Sequence, residues 1–131
     1  MKRKIITALF IAITTVVLAG CPHQAAVYNV EEAAVVANVS NVSAEDVRKA
    51  IIRAGGTLGW NIKDVKPGLL EGALHLRSHI AKVEIPYSTE SYSILYKDST
   101  NLKYDGTKIH SNYNGWIQNL QKAIQFQLDT L

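Results

Sequence analysis

Cysteine is scarce in this sequence: Cys21 is the one cysteine in 131 residues. A single thiol cannot close a disulfide within the chain, and it cannot supply the several thiolates of a structural zinc site. The fold must therefore be stabilised by a hydrophobic core. Beyond the N-terminal region the chain has roughly 90 residues, which are few but sufficient for one small domain.

Long apolar runs are also missing. The longest run extends from Ile5 to Leu18 and is interrupted by three threonines. It holds about 14 residues, which is shorter than the roughly 20 that a helix needs to span a bilayer. The sequence therefore does not predict an uncleaved transmembrane helix.

The chain beyond its N-terminus has no excess of positive charge. The formal net charge of +3 equals the contribution of Lys2, Arg3 and Lys4, and after these residues the basic and acidic side chains are equal in number. Nucleic-acid-binding domains concentrate basic side chains on one surface. The composition therefore predicts no nucleic-acid partner.

Motifs of catalysis are absent from the sequence as well. It contains no glycine-rich phosphate loop, no spacing typical of zinc ligands, and no serine with a histidine at a recognisable motif distance. We therefore expect no enzymatic activity, no cofactor and no metal site.

What the sequence does contain begins with its N-terminus. Three basic residues precede the apolar run, and the small residues Ala19 and Gly20 lead into Cys21. This arrangement resembles a bacterial lipoprotein signal, which implies cleavage before Cys21 and acylation of its sulfur and amine. Several acyl chains anchor a protein firmly without a spanning helix. We therefore expect a signal peptide over residues 1–20 and a lipid anchor at Cys21, which binds the protein to a membrane.

The residue after the cysteine indicates which membrane. Pro22 stands where lipoproteins retained in the inner membrane usually have aspartate, so the resemblance implies the periplasmic leaflet of the outer membrane. Residues 21–42 then read as the lipidated cysteine and a tether. Valines in this segment leave open that part of it lies along the following domain.

A single α+β domain is predicted over residues 43–131, and its first element is a helix. Ser43 and Asp46 have the spacing of a capping box, and Val42 can pack on the first turn. Gly55 and Gly56 are expected to end the helix. Apolar residues fall on one helical face: Val47, Ala50, Ile51, Ala54 and Leu58.

Four strands are predicted next, because apolar residues then recur at every second position from Trp60 onward. Lys66-Pro67-Gly68 is typical of a turn between the first two strands. Apolar positions are even-numbered up to Leu76, odd-numbered from Ala81, and even-numbered again from Tyr92. Such changes of parity indicate hairpins with even-numbered loops, which we place at residues 77–78 and 88–91.

These registers predict an antiparallel meander with one apolar face and one solvent-exposed face, here called the outer face. Glu71 and Glu84 are expected to lie opposite each other on it, and His75 and His79 are expected on opposite faces, too far apart to share a metal ion. The outer face is the candidate interaction surface. Its charged residues are Glu71, Arg77, Lys82, Glu84 and Lys97.

A connector over residues 98–111 contains the turn pair Asp105-Gly106, which fits either a small hairpin or a packed loop. A second helix is expected to start near Ser111 and to run nearly to the C-terminus. The predicted fold is helix, four-stranded meander, helix. Both helices lie on the apolar sheet face in a two-layer α+β sandwich.

The second half of the domain carries a further resemblance. The segment YSILYKDSTNLKY at residues 92–104, followed by IH at 109–110 and NYNGWI at 112–117, resembles a family of small Gram-negative lipoproteins. The resemblance extends over most of residues 43–128 and implies a location in the cell envelope. It implies no activity, so no catalytic residue is carried over.

The leading functional hypothesis is a non-catalytic envelope lipoprotein that binds a periplasmic or outer-membrane protein. One alternative is a small-ligand or hydrolytic site between the helices and the sheet, with His79, Tyr96 or His110. Another is an enzyme inhibitor that acts through residues 98–111. The sequence does not identify the partner or the oligomeric state.

Overall fold

A computed structural model describes residues 23–131 and shows an α+β fold. Two helices accompany a five-stranded antiparallel sheet and a separate two-stranded sheet. Cys21 and the segment expected to be a signal peptide lie outside the described residues. The elements in chain order are β1 (Gln24–Ala26), β2 (Val30–Ala34), α1 (Ala44–Thr57), β3 (Asn61–Lys66), β4 (Leu69–Leu76), β5 (His79–Pro86), β6 (Ser91–Thr100), β7 (Lys108–His110) and α2 (Ser111–Asp129).

The larger sheet has the strand order β2-β6-β5-β4-β3. Four of its strands, β3 to β6, form the expected meander. The prediction of a four-stranded sheet was nevertheless wrong, because β2 adds a fifth strand beside β6. Its residues belong to the segment that the sequence suggested as a tether.

The β4–β5 hairpin has the predicted register. Leu76 pairs with His79 and Leu74 pairs with Ala81 across β4 and β5, which places the turn at residues 77–78. Between β3 and β4, Gly68 has a φ angle of +82°, as the third position of a type II turn after proline requires.

The β5–β6 hairpin contains an irregularity that the alternation of apolar residues did not show. Tyr87 bridges to Tyr92 across the expected four-residue loop, but Val83 pairs with Tyr96 whereas Lys82 pairs with Asp98. Lys97 is therefore the extra residue of a β-bulge. The bulge shifts the parity of β6 beyond this point.

The N-terminus of α1 is confirmed at the side-chain level. Ser43 Oγ accepts a hydrogen bond from the Asp46 amide at 3.0 Å, and Asp46 Oδ2 accepts one from the Ser43 amide at 3.0 Å. The expected helix end at Gly55-Gly56 was wrong. The helix continues to Thr57, and the residue in the left-handed region is Gly59, with φ +83°. Gly55 is buried instead, because the helix approaches β3 closely there.

Residues 24–34 are attached to the domain along their length. Gln24 to Ala26 pair with β7, and Val30 pairs with Ile94 of β6. Between these strands, Asn114 of α2 fixes the backbone, since its Nδ2 donates to the Ala26 carbonyl at 2.8 Å and its Oδ1 accepts from the Tyr28 amide at 2.9 Å. This part of the expected tether is therefore integral to the fold.

The connector between β6 and α2 is a packed loop that includes β7. Leu102 and Ile109 are buried, and Asp105 Oδ1 accepts hydrogen bonds from the amides of Thr107 and Lys108. His110 caps α2, because its Nδ1 accepts from the Asn112 amide at 3.1 Å. Across residues 23–131, neither helix combines the length and the apolar character needed to cross a bilayer.

One hydrophobic core unites both helices with the sheet. The two helices pack against each other, and their buried side chains belong to the same cluster as those of β2, β4, β5 and β6. The buried side chains of α2 recur at helical spacing, as expected: Tyr113, Ile117, Leu120, Ile124 and Leu128.

The buried Tyr113 hydroxyl lowers the stability of this core. It is buried and has no hydrogen-bond partner among residues 23–131, and burial raises the pKa of this phenol above its ordinary value. Desolvating a polar group without a partner costs about 1–3 kcal/mol. We therefore expect Tyr113→Phe to raise the free energy of unfolding by about 1 kcal/mol in urea denaturation, because the edge contact of the ring with Tyr96 is retained. A loss of stability would contradict the unpartnered state of the hydroxyl.

Candidate functional site

The outer face is the surface on which charged side chains are concentrated without cover from another element of residues 23–131. Its side chains form cross-strand rows because the strands alternate inward and outward positions. One row runs from Asn61 through Ala73 and Lys82 to Asp98. The next row contains Lys63, Glu71, Glu84 and Leu95.

A depression of about 360 Å³ lies on this face over β3, β4 and β5. Its position follows from Ala73, whose short side chain stands between the longer side chains of Asn61 and Lys82 in the same row. Lys63, Glu71 and His75 also line it. Its size is within the range of small-molecule sites. Unlike most such sites, it is open to solvent and lined mainly by polar side chains.

Beside the depression, Lys97 bridges two carboxylates. Glu71 and Glu84 pair across β4 and β5, as predicted. Lys97 Nζ lies 2.7 Å from Glu71 Oε2 and 3.6 Å from Glu84 Oε1. The bulge residue of β6 thus supplies the cation that offsets the repulsion between two facing glutamates.

This arrangement keeps Glu71 ionised. The hydrogen bond from Lys97 lowers the pKa of Glu71, and the same bond raises the pKa of Lys97. General acid catalysis by a carboxyl pair needs the opposite, a carboxyl pKa raised toward neutrality. The lowered pKa of Glu71 is therefore not that of a general acid near neutral pH.

We expect Lys97→Gln to raise the pKa of Glu71 toward the ordinary glutamate value of about 4.3, because the charged donor is lost. Carbon-detected NMR titration of the glutamate carboxyls measures the pKa of Glu71 in both proteins. With the pKa lowered in the folded state, the stabilisation from Glu71 is complete above its ordinary pKa and disappears as the pH falls through the lowered value. Lys122→Gln on α2 is the control, and an unchanged Glu71 titration in Lys97→Gln would contradict the ion pair.

The residues of the candidate interaction surface are not all brought together. Glu71, Lys82, Glu84 and Lys97 share the outer face. Arg77 does not join them, because it occupies the β4–β5 turn at one end of the sheet with φ +56°. Its inclusion in the outer face was therefore wrong: a turn residue belongs to neither face of the sheet.

The histidines have separate environments. His75 lines the depression on the outer face, whereas His79 lies near the α2 side chain of Trp116, with ring centroids 6.2 Å apart. The predicted placement on opposite faces is confirmed. Within residues 23–131, no three histidine, cysteine, aspartate or glutamate side chains cluster as metal ligands would.

The crevice between the helices and the sheet was the alternative site. It measures about 70 Å³ and is lined by Leu58, Trp60, Leu74, Trp116 and Asn119. Small-molecule sites are typically about 300–1,000 Å³. The volume is too small for such a site, and the lining contains none of the three side chains proposed for it.

Those three side chains have local structural contacts instead. His79 Nδ1 lies 2.7 Å from the Asn101 carbonyl oxygen, and the Tyr96 hydroxyl lies 2.7 Å from Ser99 Oγ. His110 caps α2. The geometry therefore provides no convergence of polar groups for hydrolysis there.

Two contributors to the outer face were missed in the sequence. Lys63 was assigned to a strand but not to the surface, although its odd number places it beside Glu71. His75 was expected on the face of the sheet opposite His79 but was not included in the candidate interaction surface. Comparison of the chain with protein-family models, curated proteins and solved structures gives no match.

Proposed function

We propose that the protein is a non-catalytic lipoprotein of the Gram-negative cell envelope that binds a protein partner through the outer face. Its anchor is Cys21, acylated in the periplasmic leaflet of the outer membrane. The sequence Leu18-Ala19-Gly20-Cys21 after a basic and apolar segment supports the anchor, and Pro22 supports the outer membrane.

The observation that carries the binding role is the charge distribution around the depression. Lys97 is paired with Glu71 and Glu84, whereas Lys63 and Lys82 form no ion pair within residues 23–131. These two lysines line the depression together with Ala73, and the two carboxylates that also line it are both paired, Glu71 with Lys97 and Asp64 with Arg48. The surface therefore fits a protruding acidic side chain of a protein partner, whose charge complements the two lysines.

The test uses the full chain in Gram-negative cells, with a photoreactive amino acid at position 75, which lines the depression and leaves both lysines in place. We expect one recurrent envelope protein in the crosslinked adduct. The additional change Lys63→Glu should abolish that adduct, because it repels an acidic partner. A photoreactive residue at Lys122, which is exposed on α2, and the charge reversal Lys122→Glu are the matched controls.

Two results would overturn the proposal. If the anchored protein gives no specific adduct from position 75, or the same adducts from positions 75 and 122, the outer face is not the binding surface. If Cys21→Ser leaves the membrane fraction and the incorporation of an alkyne-labelled fatty acid unchanged, Cys21 is not the anchor.

A further inference from the structure

The described chain is fixed to the domain from its first residue. The His23 carbonyl accepts a hydrogen bond from the Ser111 amide at 2.7 Å, and the His23 ring stacks on His110 with centroids 6.0 Å apart. Gln24 then pairs with His110 in the two-stranded sheet. The chain therefore joins the fold at the N-terminus of α2.

Only Pro22 separates His23 from Cys21. Two Cα–Cα steps span at most about 7 Å, whereas a domain of this length has a radius of gyration of about 13 Å. The link is thus much shorter than the domain. An acylated Cys21 would hold the N-terminus of α2 against the membrane and prevent the domain from turning freely.

The end of the molecule around His23, here called the anchor end, includes three further segments. The connector is attached through Gln24, whose Nε2 donates to the Lys103 carbonyl at 3.2 Å. The β4–β5 turn is attached through Asn101, whose Nδ2 donates to Ser78 Oγ at 2.8 Å. The second turn of α2 contributes Trp116, beside His79.

The chemistry of the anchor end suits a phospholipid surface. Arg77, Lys103 and Lys108 are exposed and form no ion pair within residues 23–131. They outnumber the two carboxylates of residues 98–111, which are Asp105 and Asp98, and Asp98 lies opposite Lys82 in the sheet. Tyr104 is 42% exposed and Trp116 is half-buried. Basic side chains bind lipid phosphates, and tyrosine and tryptophan prefer the membrane interface.

The opposite end differs in charge. The N-terminus of α1, the β5–β6 loop and the C-terminus of α2 carry four acidic residues. Arg48 and Lys49 of α1 are paired with carboxylates there, and Lys66 is not. The four acidic residues are Glu45, Asp46, Glu90 and Asp129.

We infer that the anchor end is a membrane-docking surface that lies on the phospholipid leaflet holding the Cys21 acyl chains, so that the domain has a fixed orientation with its acidic end away from the membrane. The inference rests on the proposed lipid anchor. It adds a second contact with the leaflet, made by the folded domain itself.

The test uses the lipidated full chain in vesicles of phosphatidylethanolamine and phosphatidylglycerol that contain headgroup-quenching lipid. Because acylation consumes the thiol of Cys21, one introduced cysteine carries a fluorophore specifically. We expect at least twofold stronger quenching at Ser78→Cys than at Glu90→Cys or Asp129→Cys. The triple change Arg77→Gln, Lys103→Gln, Lys108→Gln, with the fluorophore at Ser78→Cys, should reduce quenching at least twofold. The control Lys49→Gln, Lys66→Gln, Lys122→Gln should not.

The outcomes separate the two proposals. If fatty-acid incorporation is lost only in Cys21→Ser while quenching is equal at positions 78, 90 and 129, the anchor is supported and the docking surface is overturned. Absence of incorporation in the unmodified chain overturns the anchor itself. If position 78 is protected from a thiol reagent in cells but shows no quenching in protein-free vesicles, a protein covers this end, which also overturns the docking surface.

Discussion

Replacing Val30 with aspartate is expected to lower the free energy of unfolding by about 3–5 kcal/mol, which is a large part of the stability of a small domain. Val30 is 4% exposed and pairs with Ile94 in the centre of β6. An aspartate there would place an unpaired carboxylate in the hydrophobic core. Urea denaturation followed by circular dichroism measures the change.

A matched control for this prediction exists in the same segment. Val36 is 58% exposed, so Val36→Asp should change the stability by no more than about 0.5 kcal/mol. Val30→Ala should cost about 2 kcal/mol, because it removes apolar contacts without adding charge. If Val30→Asp and Val36→Asp change the free energy of unfolding by the same amount, residues 24–34 are a tether and the fifth strand is not part of the stable fold.

Replacing Gly55 with alanine is expected to lower the free energy of unfolding by about 1–2 kcal/mol, although alanine is the better helix former by about 1 kcal/mol. A methyl group at Gly55 would lie 2.5 Å from Ile62 Cγ1 and 2.8 Å from Ile62 Cδ1. A methyl group at Gly72 of β4 would likewise lie 3.0 Å from Ile62 Cδ1. Two glycines on different elements therefore make space for one isoleucine.

The adjacent residue gives the opposite expectation. A methyl group at Gly56 meets no atom within 4 Å, so Gly56→Ala should raise the stability by up to about 1 kcal/mol. Thermal and urea denaturation of both variants give the comparison. In a double-mutant cycle, Gly55→Ala and Ile62→Ala should be coupled by about 1 kcal/mol or more, since the smaller side chain relieves the overlap. Stabilisation by both alanine variants would refute the close helix–strand contact.

The hairpin registers were predictable because apolar parity records which way each strand faces. Pairing Leu74 with Ala81 brings all apolar positions to one side, and any shift by one residue would expose them. The facing of Glu71 and Glu84 followed directly from that register. The capping box at Ser43 was predictable for a similar reason, since it depends on residues only three positions apart.

The outer face was predictable in composition but not in geometry. Alternation identified Glu71, Glu84 and Lys97 as outward-facing residues, but it did not show that Lys97 is the extra residue of a bulge in β6. A bulge leaves little trace in a pattern of alternating residues when polar side chains flank it. The depression depends on Ala73, whose neighbours come from two other strands.

Residues near in sequence therefore determined the first helix cap, the hairpin turns, the apolar faces and the lipoprotein signal pattern around Cys21. The tertiary structure decided the place of β2 beside β6, the role of Gly55 and the end of α1 at Thr57. The physical reason is the range of the interactions. Caps, turns and alternation depend on local backbone geometry, whereas an added edge strand and a close helix–strand contact depend on surfaces from distant parts of the chain.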